Sequence, residues 1–293
     1  MSFDDLPKRP GPIFEAAITY AATVLERSRE VAEGGDIRFY PDLAFGPDYY
    51  QRVDVYAPLE AGAPLPVLLF LHGGAFIGGY KEWMGFMAPA ILSTPALFVS
   101  VSYRLAPEHP FPAPVEDVAA AVHWAWRNIA RYGGDPDRMF IGGHSAGGHL
   151  ASLVALDQRW LAPHGLTPAV LKGVVAVSAP LDMDFDPANS ENAAALKMRR
   201  TFVPDDQDVV AANPIAQVRK DAPPFFVSAG GDDLWSLAAD MRRFTKALRQ
   251  CGVDVLEESF EGHDHFDTST RCVNDGHPWL GKTIEFIKSS ALV

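Results

Sequence analysis

Apolar positions recur along this chain in two rhythms. Phe14, Ala17, Ile18, Ala21, Val24 and Leu25 stand at helical spacing and predict a helix over 13–33, closed by Gly34-Gly35. Two strands are predicted next, at 37–45 and 52–57. Val53 and Val55 alternate with polar neighbours in the second, so it reads as antiparallel and half exposed. From Leu65 the pattern changes. Pro66-Val-Leu-Leu-Phe-Leu71 is apolar without alternation, as a strand covered on both faces should be. Similar runs lie at 96–103, 139–142, 170–179 and 224–229, with a last strand at 253–260. Helices are predicted at 114–132, 236–250 and 278–289.

Strands alternating with helices predict an α/β fold: a mostly parallel central sheet of about eight strands with helices on both faces. No repeat, low-complexity tract or linker divides the chain, so residues 1–293 read as a single domain preceded by an arm at 1–12. The stretch 181–221 interrupts the alternation with charges and with Pro187, Pro204 and Pro214. It follows a strand end, where open α/β sheets bind ligands, and reads as an insertion over the site. Together with the 13–33 helix it is expected to form a small cap.

The central chemical signal is Met139–Leu153, an apolar strand that breaks on glycines, presents one serine and resumes as a helix. Gly143-His144-Ser145-Ala146-Gly147 reads G-x-S-x-G. A serine on a sharp strand-to-helix turn needs small neighbours, and the helix N-terminus then favours negative charge beside it. A serine hydroxyl is a weak nucleophile, so it requires a base and a third group that orients the base. The 224–229 strand ends in Gly230-Gly231-Asp232-Asp233-Leu234. Asp232 is the favoured orienting carboxylate, with Asp233 as a capping or solvated neighbour. After the last strand comes Glu261-Gly262-His263-Asp264-His265-Phe266-Asp267, and of the nine histidines only His263 and His265 lie there. His265 is the favoured base, because Phe266 would anchor it. His263 is then a surface or supporting residue.

Backbone N–H groups must receive the developing oxyanion. Ala146 follows the serine, and His72-Gly73-Gly74-Ala75 follows the strand ending at Leu71. Gly74 and Ala75 are the expected donors alongside Ala146. Gly73 permits the turn and completes the oxyanion-hole set, while His72 braces the loop. Phe76, Tyr80 and Trp83 come next and are expected to line an apolar substrate pocket.

His263, His265 and Asp267 also match part of a metallo-hydrolase ligand pattern. That pattern wants a further histidine where Thr268 stands, so no metal or other cofactor is expected. A net charge of −12 opposes a nucleic-acid surface and binding to anionic lipid. No apolar run reaches ~18 residues, so no membrane span is expected. The first ten residues lack a secretory h-region, and neither Cys251 nor Cys272 sits in C-x-x-C. A cytoplasmic protein is the expectation, with homo-oligomerisation left open.

Taken together, the sequence resembles the α/β-hydrolase superfamily, in particular the hormone-sensitive-lipase-like carboxylesterases. The matching stretches are His72-Gly-Gly-Ala-Phe76, Tyr103-Arg-Leu-Ala-Pro-Glu-His-Pro-Phe-Pro112, Gly143–Gly148, Asp232-Asp-Leu234 and His265-Phe266. The resemblance implies ester hydrolysis through a Ser145 acyl-enzyme on short-chain or aromatic esters, with Tyr103–Pro112 holding the loop beside the site. This chain departs from that pattern at Ala75, at His144 before the serine, and at Asp233 within the acid motif. Gly143–Leu150, Asp54–Pro58 and the Asp264–Asp267 ending are equally similar to arylformamidases, which act on N-formyl amides. The expected partner is therefore a small ester or amide. A non-catalytic binding protein on the same fold is the alternative of another class, but it would be expected to have lost one of the three residues.

Overall fold

The computed structural model describes residues 3, 6, 7, 15–60, 62–94 and 96–290. Residues 13 and 14 of the expected helix, and most of the arm at 1–12, lie outside these. In chain order the regular elements are α1 (Ala16–Glu33), β1 (Ile37–Ala44), β2 (Arg52–Pro58), β3 (Leu65–Leu71), α2 (Ala88–Leu92) and β4 (Leu97–Val101). They continue with α3 (Ala113–Asn128), β5 (Gly134–His144), α4 (Ala146–Leu156), β6 (Leu171–Val177) and α5 (Ala193–Phe202). The last are β7 (Phe225–Asp232), α6 (Leu237–Gln250), β8 (Val255–Asp264), α7 (Asp267–Thr270) and α8 (Pro278–Ser290).

The eight strands form one sheet in the order β1-β2-β4-β3-β5-β6-β7-β8. β2 runs antiparallel to both β1 and β4, and every other pairing is parallel. Successive side chains of a strand face opposite ways, and the two faces here enter different cores. Val67, Leu69 and Leu71 of β3 join residues of α3, α4 and α6, among them Val118, Leu150 and Phe244. Leu68 and Phe70 join Tyr20 and Val24 of α1 and Trp279 and Phe286 of α8. Helices thus cover both faces, as the unbroken apolar strands require. Among the described residues no helix is long and apolar enough to cross a membrane.

The pattern misjudged β2. Its polar positions are not exposed: Asp54 and Tyr56 are fully buried, because the strand lies between β1 and β4 and Asp54 meets Lys81 rather than water. Two strands also run further than their apolar cores. β7 continues through Gly230-Gly231 to Asp232, and β8 continues to Asp264, where the two residues pair. Both extensions reach the carboxyl edge of the sheet, where the site lies.

Candidate active site

Ser145 sits between β5 and α4 with φ 55° and ψ −123°, a backbone setting that L-residues adopt only when the surroundings enforce it. The enforcement is visible. The Ser145 N–H donates to Val177 O at 2.8 Å, and the chain then turns so sharply that a Cβ on Gly143 would lie 2.4 Å from the Gly147 carbonyl carbon. A Cβ on Gly147 would lie 2.3 Å from Leu71 O. Only glycine fits at either position. From Ile141 to Leu150 every residue is buried except Ser145, so the turn delivers one hydroxyl to an otherwise closed surface.

His265 stands just past the end of β8. Its Nε2 lies 3.0 Å from Ser145 Oγ, and its Nδ1 lies 2.7 Å from Asp233 Oδ1. A carboxylate only accepts, so Nδ1 carries the proton and donates it to Asp233. Nε2 is then the free acceptor facing the serine hydroxyl.

The carboxylate on His265 is Asp233, and this corrects the sequence expectation for Asp232. β7 does not stop at Ala229, so Asp232 is still in the strand, where it is exposed and pairs with Asp264. Asp233 is the first residue beyond the strand, and its side chain is 1% exposed. Four donors converge on it: His265 Nδ1–H, the Ser178 hydroxyl at 2.6 Å, Gly230 N–H at 3.0 Å and Leu234 N–H at 2.8 Å. Burial alone would push its carboxyl up. The bond and charge of His265, with Ser178 and Gly230, outweigh burial and hold it below the usual carboxylate range.

The backbone of His265 is also pinned. Its carbonyl accepts from His144 Nε2–H at 2.8 Å and from the Thr268 hydroxyl at 2.7 Å. Because that carbonyl cannot donate, His144 is the Nε2–H tautomer. Burial, with His265 adding to it, holds the His144 imidazole down at about 3, so it is neutral. His144 was visible in the sequence only as a departure from the expected Asp. Ser178 and Thr268 carried no signal, being ordinary hydroxyls far from the serine in sequence. His263, the other histidine of this loop, faces away from the serine. Its Nε2 lies 3.1 Å from Nε2 of His277.

The loop after β3 closes the other side. Gly74, Ala75 and Phe76 have φ of 121°, 54° and 65°, three consecutive left-handed residues. Gly74 is obligatory there, since a Cβ would lie 2.2 Å from Gly78 O. Gly73 packs so tightly against the nucleophile turn that its Cβ would sit 3.1 Å from Ser145 Cβ. His72 braces this loop from beneath. Its ring stacks on Tyr103 at 4.4 Å, and its Nδ1–H donates to Gly73 O at 2.7 Å. Tyr103 Oη in turn donates to His72 O at 2.8 Å, and Ala106 N–H to Phe76 O at 2.9 Å. Burial holds His72 at about 4, so it too is neutral.

Gly73, Gly74, Ala75, Ser145 and His265 line one cavity of about 300 Å³, and Tyr80 and Trp83 form part of its wall. Phe76 does not, and this corrects the expectation for it. It is fully buried, stacked on Phe202 of α5 at 3.9 Å and edge-on to His149 at 5.2 Å. The left-handed backbone at 75 and 76 turns its ring under the loop and into the core. Ala146 is buried as the first residue of α4 and is not part of the cavity lining. The remaining wall includes residues of the two stretches expected to form the cap, Tyr20 and Leu25 of α1 and Met198 of α5, together with Leu234, Trp235 and Phe266. The lining is mostly apolar, with polar groups from His144, Ser145, His265, the tyrosines and the glycine-rich loop.

The α/β arrangement and this constellation define a hydrolase-like class of fold. A family model described as alpha/beta hydrolase fold matches residues 68–267, and the chain belongs to that family. Among named relatives, it is 33% identical over 280 residues to esterase LipQ of Mycobacterium tuberculosis, covering 90% of this chain and 61% of LipQ. It is 41% identical over 140 residues to carboxylesterase NlhH of the same organism, covering 47% of this chain and 43% of NlhH. The chain spans between about half and three fifths of LipQ, LipC and LipM, the first relatives it matches. Among solved structures, it aligns with EstE1, a thermostable carboxylesterase cloned from a metagenomic library, at TM-score 0.75 and 25% identity. That alignment covers 95% of this chain and 99% of EstE1. Esterase B from Lactobacillus rhamnosis aligns at TM-score 0.80 and 19% identity, covering 94% and 93%, a likeness of fold.

Proposed function

We propose that the chain is a metal-independent serine hydrolase that cleaves carboxylic esters through an acyl-enzyme on Ser145. The observation that carries this reading is the unbroken line from Asp233 through His265 to Ser145 Oγ, with bonds of 2.7 and 3.0 Å, opening on a mostly apolar cavity. The esterase names of LipQ, NlhH and EstE1 support it.

In this mechanism His265 Nε2 takes the hydroxyl proton as Ser145 Oγ attacks the ester carbonyl carbon. The carbonyl oxygen becomes an oxyanion, received by the backbone N–H groups of Gly74, Ala75 and Ala146, with Gly73 providing the close approach. As the intermediate collapses, His265 returns the proton to the departing alcohol. Water then enters, His265 deprotonates it as its oxygen attacks the acyl carbon, and on collapse His265 gives that proton to Ser145 Oγ as the Oγ–acyl bond breaks, freeing the acid. Asp233 keeps the proton on Nδ1 throughout, so Nε2 always faces the serine. α1 and the 181–221 segment act as the cap whose apolar side chains select an uncharged acyl or alcohol group. Short-chain and aryl esters suit a cavity of about 300 Å³.

The test is a panel of p-nitrophenyl esters of graded chain length beside N-formylkynurenine, run with a fluorophosphonate. Ester turnover that the fluorophosphonate abolishes, with label on Ser145, is the expected result. N-formylkynurenine carries charges the mostly apolar lining does not match, so it is expected to be the poorer substrate. A preference for it equal to that of a dedicated arylformamidase would replace the ester reading.

A further inference from the structure

α1 is an outlying helix with a narrow buried stripe. Only Tyr20, Val24 and Ser28 are buried along its eighteen residues, each four after the last, so they share one face. What this stripe touches is unusual. Tyr20 reaches across 249 residues of sequence to Ser269, hydroxyl to Oγ at 3.0 Å. Its ring lies 5.1 Å from Phe266 and 6.1 Å from His144, and meets Trp83 edge-on at 5.7 Å. Two turns further along α1, Arg27 Nη1 donates to Thr270 O at 3.0 Å. Phe266, Ser269 and Thr270 all belong to the short turn that follows His265.

That turn is a small unit. Ser269 and Thr270 donate backbone N–H groups to Phe266 O at 3.1 and 2.9 Å, and Thr268 Oγ1 donates to His265 O. From within, His144 holds the His265 carbonyl. From without, the turn is covered by Tyr20 and Arg27. The two sides meet at the Tyr20 ring, which touches both Phe266 and His144.

We propose that Tyr20 is a positioning residue for His265: α1 clamps the His265–Thr270 turn and thereby holds Nε2 at bonding distance from Ser145. The inference rests on the esterase reading for its kinetic consequence, while its structural consequence is independent of any substrate. A base displaced by a fraction of an ångström loses proton-transfer efficiency, even though the binding cavity persists. Tyr20 therefore acts on turnover more than on binding.

Three variants and two readouts separate this role from that of a plain cavity wall. Tyr20→Ala removes the ring contacts and the hydroxyl bond. Tyr20→Phe keeps the rings on Phe266 and Trp83 and removes only the hydroxyl. Tyr20→Leu keeps an apolar residue in the stripe and serves if Tyr20→Ala does not accumulate as folded protein. On p-nitrophenyl butyrate, kcat is expected to fall on the order of 10-fold to 100-fold in Tyr20→Ala or Tyr20→Leu, with KM changing less. Tyr20→Phe is expected to restore kcat to within about 3-fold of wild type, since positioning by the rings survives. The second readout needs no substrate. The low-field proton resonance of His265 Nδ1–H on Asp233 should be present in wild type and Tyr20→Phe and broadened in Tyr20→Ala or Tyr20→Leu. A raised KM with unchanged kcat and an unchanged His265 resonance would overturn the proposal. If wild type cleaves no ester, the esterase reading fails, and the resonance alone still decides the role of Tyr20.

Discussion

Lys81 lies among Asp42, Asp54 and Glu82, with ion pairs of 3.0, 2.9 and 2.5 Å, and His265 lies between Asp233 and Ser145. Both clusters join acids to a base in a buried place, and both perturb the groups within them. In the first, burial pushes Asp54 up to about 6 despite the opposing pull of Lys81. In the second, the partners of Asp233 overcome burial and lower it. The difference is where each network ends. Lys81, Asp54 and Glu82 are buried, and Lys81 and Glu82 do not line the cavity although Tyr80 and Trp83 beside them do. The His265 line ends on a half-exposed hydroxyl in an apolar cavity. Perturbed titration marks both, and an open end distinguishes a site that can do chemistry from one that only holds structure.

The largest effect that sharpens this comparison is at the acid. Asp233→Asn is expected to lower kcat on the order of 10³–10⁴-fold, because an amide N–H facing Nδ1 imposes the wrong tautomer on His265. Asp232→Asn, an exposed strand residue, is expected to leave kcat within about 3-fold. Steady-state kinetics on the two variants check this, and the reverse order would return the role to Asp232.

Next comes the closed cluster. Lys81→Met removes the cation that Asp42, Asp54 and Glu82 share, and removing one partner from such a buried network costs about 3–5 kcal/mol. Urea unfolding should show a loss of that order, with kcat of the folded enzyme nearly unchanged. A variant of full stability and greatly reduced kcat would place Lys81 in the chemistry and erase the distinction.

A smaller effect concerns His149, which packs under Phe76, donates from Nδ1–H to Pro180 O at 2.7 Å and is held at about 4 by burial. An unfolded histidine takes its proton near pH 6.5, whereas the folded one waits until about pH 4. Below 6.5 the unfolded state therefore binds the extra proton, and folding loses stability as pH falls toward 4. Between pH 7 and 5 that loss is about 2 kcal/mol. His149→Gln should lack it, so wild type should lose about 2 kcal/mol more than the variant over that interval by urea unfolding. Equal losses would mean His149 is protonated in the fold.

The sequence reading captured the parts of the site that local sterics dictate. Gly143 and Gly147 are glycines because a Cβ at either would lie 2.4 or 2.3 Å from a backbone atom, and such residues announce the serine turn. His265 was favoured on an expected anchor at Phe266, which instead is half-buried in the cavity wall, and the parallel strands were legible because nothing polar interrupts them. What escaped notice was set by distance in sequence. Gly230-Gly231 reads as a loop until β8 is seen to pair with it, and that shift of the strand end moved the acid from Asp232 to Asp233. Phe76 looked like a pocket wall because no local pattern reports that Phe202 lies beneath it. Tyr20 carried no signal among the apolar positions of its helix, since its partner is 249 residues away.

The covalent acyl group proposed on Ser145 is observed most directly by acid quench during turnover of p-nitrophenyl butyrate followed by peptide mass spectrometry. One butyryl group is expected on the peptide that carries Ser145, absent from Ser145→Ala, whose kcat is expected to fall on the order of 10⁴–10⁶-fold. An acyl group on another residue, or turnover by Ser145→Ala near the wild-type rate, would contradict it.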